Sequence, residues 1–220
     1  MSYLLYTFYL ILNVALLLWG ISMWSKRRRT SALLIAAVTF GLVYDNLILA
    51  LGVILKPGPL FYALSLPRFY LHQLVLPWII WASFLQARSL GIKWTRKRWV
   101  GTAVLSLTVA VVLLGVLTRI VPMDLQIVEM GGLIRYVDEG AIGSPIVSIV
   151  SIGFAGVMGW FLWSKHQWPW VLITALLVFI GEGIPVELVR RVIGSGAEVL
   201  FIAALLQTEK LIFVVRKEAE

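Results

Sequence analysis

The sequence predicts an all-α integral membrane protein, with seven transmembrane helices in one domain over residues 1–220, the N-terminus outside and the C-terminus in the cytoplasm. Three observations predict it. Of 220 residues, 60% are hydrophobic and only 14% charged, whereas a soluble domain is about half apolar and about a quarter charged. Mean hydropathy is +0.94, and ten Trp and seven Tyr suit a protein with two water–lipid boundaries. Basic residues also concentrate in alternate connections between seven apolar runs, each near the roughly 20 residues that cross a bilayer core.

The first run, 3–24, has no basic residue before it, four just after it and no small-residue cleavage site, so it reads as a retained helix rather than a signal peptide. The second, 31–55, contains VYDNLILALG, with Asp45 and Asn46 inside an apolar stretch. The third, 69–87, opens within PRFYLHQLVLP. There Pro77 lacks an N–H, which frees the carbonyl of Gln73 and predicts a kink. The fourth is 100–118, and the connection over 120–143 is expected to form a short hairpin or lie on the surface. Runs five (144–163) and six (168–188) are separated only by SKHQW, and the seventh, 196–214, includes the polar string QTEK.

Charge sets the orientation. Lys26, Arg27, Arg28 and Arg29 follow the first run; Arg88, Lys93, Arg96, Lys97 and Arg98 follow the third. Lys165 follows the fifth, and Arg216 and Lys217 the seventh. The intervening connections are poorer in cations, and the fourth carries Asp124, Glu129, Asp138 and Glu139. The net charge of +8 therefore reads as topology and contact with anionic lipid, not nucleic-acid binding. The plasma membrane is the expected location. With no cysteine, disulfides, thiolate metal sites and Cys nucleophiles are excluded, and two distant histidines predict no metal centre.

Ionisable groups within spans cost roughly 2.5–3.5 kcal/mol each on insertion scales, so they face protein interior and mark function. Asp45 is expected about 15 Å below the outer boundary, sharing a small-residue stripe with Gly41 and Gly52 that lets another helix approach. Asn46 points about 100° away, toward a neighbouring helix. Arg68 and His72, four apart, stack on one face. Glu182, within GEGIP, and Glu198 add carboxylates to the outer half. Together with Tyr44 and Gln73 these residues predict an outward-facing polar pocket, with Asp45 balanced by Arg68 and His72. Glu187, Arg190 and Arg191 read as boundary residues.

Two spacings resemble the microbial rhodopsins. Arg68 precedes Pro77 by nine residues, and Glu198 precedes Lys210 by twelve, with Phe213 three further on. The resemblance implies retinal bound as a Schiff base to Lys210, with Arg68 and Glu198 on an outer proton path. The chain departs from that family at two carboxylate positions, here Leu71 and Leu206. LITALLVFIG supplies only Phe179 where the family has an aromatic sandwich. Asp45 would then act as counter-ion from an unusual helix.

The residues themselves point first to a small integral-membrane enzyme acting by acid/base chemistry on a lipid or isoprenoid, a hydrophobic small-molecule substrate drawn from among the membrane lipids. Low dielectric favours the neutral form of a carboxylic acid, which suits Asp45 as proton donor with His72 as base and Glu182 as a third group, and no cofactor is required. Phosphatase chemistry is not expected, since no Ser/His/Arg cluster is evident in the sequence, and serine hydrolysis lacks a nucleophile elbow. A proton-coupled transporter using Asp45, His72 and Glu182 as a relay is the second class, although no internal repeat is visible. A retinal-bearing receptor or pump is the third.

Overall fold

The computed structural model describes residues 2–130, 133–142 and 145–217, apart from the side chains of residues 2, 3, 130, 133, 187, 188, 191, 216 and 217. The boundary residues Glu187, Arg191, Arg216 and Lys217 thus lie outside the described side chains. The described chain is mostly helical: α1 (Ser2–Arg27), α2 (Thr30–Leu51), α3 (Pro59–Val75), α4 (Trp78–Ser89), α5 (Arg98–Gly115), α6 (Ile146–His166), α7 (Trp170–Glu182) and α8 (Glu187–Lys217). A π-helical turn, Val116–Ile120, extends α5, and a two-stranded antiparallel hairpin of β1 (Leu125–Met130) and β2 (Leu133–Asp138) follows.

Breaks fall where the sequence forces them. Arg28 adopts φ 51° and ends α1, its guanidinium lying 4.9 Å from the Trp24 ring centroid. Gln167, at φ 53°, ends α6 just before Pro169. Between α3 and α4, Leu76 and Pro77 keep helical dihedrals, but the regular ladder is interrupted, as expected where proline removes a donor. The carbonyls of Leu76 and Pro77 then accept from Ile79 and Ile80, three residues on. This kinked unit begins at Pro59, ten residues before the apolar run that marked it in sequence.

Among the described residues four helices are long and apolar enough to cross a membrane: Leu4–Arg27, Thr30–Leu51, Arg98–Ile120 and Ile146–His166. The other three predicted spans differ for separate reasons. The third is divided at Pro77, α7 has 13 residues and reaches only about 20 Å, and α8 has 31 residues with charges interspersed. Apolar side chains face outward throughout, with Leu18, Leu113, Leu117 and Ile180 all more than half exposed. That inversion is the build of an integral multi-pass membrane protein.

Successive helices are neighbours, and α1 against α8 closes the ring. The lower half of the kinked unit, α4, crosses the middle and touches α2, α5, α6 and α8. The main core sits there, around Ile35, Ile79, Ala155, Val178, Leu205 and Leu206. Along α6 the glycines at 153, 156 and 159 face Phe179, Ala175 and the Leu172 backbone of α7, and a side chain at Gly159 would meet the Leu172 nitrogen at 2.6 Å. Small residues therefore set how closely these two helices pack.

Candidate functional site at one end of the bundle

Both histidines' fates follow from their helices. His166 ends α6 and bonds the carbonyl of Leu90, whereas His72 faces inward from α3. Around His72 lies a cavity of about 610 Å³. Six residues singled out in the sequence line it: Asp45, Arg68, His72, Gln73, Glu182 and Glu198. They come from the end of α2 and of α7, the second half of α3 and the first half of α8, brought together because α2 packs on α3 and α8, and α7 on α8.

Arg68 Nε donates to Asp45 Oδ1 at 2.7 Å, with the arginine side chain 11% exposed and the aspartate 35%. Asp45 is therefore half of an ion pair at the cavity wall, not a solitary acid. Its partner nitrogen Nη1 of Arg68 is buried without a hydrogen bond among the described residues. His72 Nε2 lies 3.1 Å from Ser148 Oγ, at the start of α6. Gln73 packs beside Gly115 of α5, its Oε1 buried and unpartnered among the described residues.

Three sequence-selected residues fall elsewhere. Tyr44 donates its hydroxyl to the Leu64 carbonyl at 2.8 Å and pins α2 to α3. Asn46 is buried and donates to the Leu42 carbonyl of its own helix at 2.9 Å, not to a neighbouring helix. Neither lines the cavity. Lys210, the attachment point implied by the rhodopsin resemblance, is exposed on α8 and also outside the lining. Of the stripe around Asp45, Gly41 touches Leu71 of α3, but Gly52 meets the hairpin instead of a helix.

Sequence reasoning missed much of the lining. Arg119 of the π turn, Arg135 and Asp138 of the hairpin, Ser148 and Arg190 all contribute. Arg190 belongs to the wall and is not merely a boundary residue. The acidic connection is a structural roof: Asp138 Oδ1 accepts from the backbone of Asp124 and Gly140, which ties off the hairpin. Four guanidiniums (68, 119, 135, 190) and four carboxylates (45, 138, 182, 198) thus share one recess. The arginines carried a readable signal, since cations on the cation-poor side oppose the topology bias and need another reason to be there.

A second polar cluster sits at the opposite end. Arg29 Nε donates to Glu209 Oε2 at 2.7 Å, and the carboxylate is 1% exposed. Gln86 Nε2 donates to Glu209 Oε1 and to the Leu205 carbonyl, while Arg29 also reaches Ser89. Lys165 Nζ donates to the carbonyls of Leu90 and Gly91. Several of the basic residues read as topology signals are therefore also helix ties. No protein-family model matches the chain, and no curated protein matches it.

Proposed function

We propose that the chain is a small integral-membrane enzyme of seven spans, with its N-terminus outside, acting on a lipid or isoprenoid by acid/base chemistry in an outward-facing cavity. The observation that carries this reading is the gathering of Asp45, Arg68, His72, Gln73, Glu182 and Glu198 around one void of about 610 Å³. That size lies in the ordinary range for small-molecule sites, about 300–1,000 Å³. It suits the polar end of an amphiphile whose chains stay in the bilayer.

In this reading His72 is the proton-transferring group. The Arg68–Asp45 pair fixes charge beside it, and Glu182 and Glu198 hold polar parts of the substrate. Below the cavity the helices close on one another through Leu76, Ile79, Ile202, Leu205 and Leu206, all buried. That apolar packing favours chemistry at one face over a relay across the membrane. The exposed position of Lys210 likewise favours a site without retinal.

The test is reconstitution of the purified chain in liposomes made from a total membrane lipid extract. Mass spectra of the lipids are followed over time for wild type and His72→Gln. A lipid that declines with wild type and persists with the variant supports the reading. Identical lipid profiles for wild type, variant and empty liposomes overturn it.

A further inference from the structure

The hydroxyls of buried serines and threonines here are mostly spent on their own helix. Ser65, Ser83 and Ser151 each donate to a carbonyl three or four residues back, as do Thr39 and Thr108. Ser148 is different: its Oγ meets the imidazole of another helix, 76 residues away in sequence, and both groups line the cavity. A hydroxyl within hydrogen-bond reach of a histidine, beside a substrate-sized void, is the arrangement of an activated nucleophile and its base.

The surroundings suit that role. Ser148 is the third residue of α6, whose N-cap, Pro145, makes no side-chain capping bond among the described residues, and amides of a helix's first turn are the kind of donor that stabilises a developing oxyanion. Arg68 lines the void together with Arg119, Arg135 and Arg190, and its buried Nη1 has no bond among the described residues. A guanidinium fork matches a phosphate oxygen pair. Asp45 stands six residues before the end of α2, about 9 Å along the axis.

We infer that Ser148 is a catalytic nucleophile and His72 its general base, and that the pair transfers an acyl chain from a glycerophospholipid whose phosphate is held by the cavity arginines. The inference rests on the lipid reading above and gives it a substrate class. Ser148 Oγ attacks the ester carbonyl, its proton passes to His72 Nε2, and a new Oγ–C bond forms. The ester C–O bond then breaks, and the departing alkoxide takes the proton from His72 and leaves as the lysophospholipid. Water, deprotonated by His72, attacks the acyl-serine. It releases the fatty acid and returns the proton to Ser148.

A long-chain fluorophosphonate tests this without knowledge of the natural lipid, because an activated serine displaces its fluoride and keeps the phosphonyl group. The full chain, purified and monodisperse, is exposed to the probe, digested and analysed by mass spectrometry. The expected result is an adduct on Ser148 whose rate of formation falls about 100-fold in His72→Gln, and which in wild type falls at acidic pH as imidazole is protonated. No adduct on Ser148, an adduct only elsewhere, or a rate indifferent to both changes overturns the inference. Lipid turnover in liposomes without a Ser148 adduct would leave the lipid enzyme standing and remove only the serine mechanism.

Discussion

Two arginine–carboxylate pairs of equal length, 2.7 Å, show how the same contact serves different ends. Glu209 is 1% exposed and satisfies Arg29 and Gln86 together, joining α8 to α4 and to the start of α2. Asp45 is 35% exposed and borders open volume. Removing one member of a buried pair leaves an uncompensated charge and costs about 3–5 kcal/mol. Glu209→Ala is therefore expected to lower the thermal unfolding midpoint in detergent well below that of Asp45→Asn. Equal midpoints for the two variants would contradict the division into a structural pair and a cavity pair. Sequence gave the identities of both carboxylates but not their burial. Glu209 looked like a polar residue at the end of an apolar run, and Gln86 carried no mark at all, because hydropathy records a residue's own transfer cost and not the partner that offsets it.

At the scale of elements, the apolar runs announced α1, α2, α5 and α6 well, since a helix satisfies its own backbone and needs only length and hydrophobicity to be recognised. The interruption at Pro77 was legible for the same local reason. The start of α3 was not: PLFYALSLPR mixes Pro, Ser and Arg with apolar residues, and it is helical because Phe61 and Ser65 are buried against neighbours. The hairpin was only one of two expectations for its connection, and its docking depends on contacts distant in sequence. Phe61 of α3 stacks at a tilt on Tyr136, 5.5 Å between centroids, and Ile134 N–H donates to the Gly52 carbonyl. A Cβ on Gly52 would run into the Ile134 carbonyl oxygen. Gly52→Ala is expected to lift the hairpin, at about 1–3 kcal/mol, and to make the segment after Ile120 susceptible to limited proteolysis. A variant as protease-resistant and as stable as wild type would show that the hairpin is not seated there.

For the whole molecule, the decisive features are those that join distant segments. Ionisable residues in apolar runs were readable one by one because each is expensive, and the cost pointed toward a shared interior. Ser148 was unreadable, because a serine in an apolar helix is unremarkable until a histidine from another helix stands 3.1 Å away. No Ser/His/Arg cluster is evident in the sequence because His72, Ser148 and Arg68 meet only through the packing of α3 against α6 and α2. The proposed orientation rests on the distribution of basic residues, and it puts the recess on the non-cytosolic side and the Arg29–Glu209 cluster on the other. The chain has no cysteine, so single cysteines report position cleanly. The most direct measurement compares Ser195→Cys, in the cavity wall, with Lys93→Cys, in the basic connection after α4, using a membrane-impermeant maleimide on intact cells. Ser195→Cys is expected to be labelled in intact cells and Lys93→Cys only after lysis. The reverse pattern, or a cysteine at 195 that reacts from neither side, would contradict it.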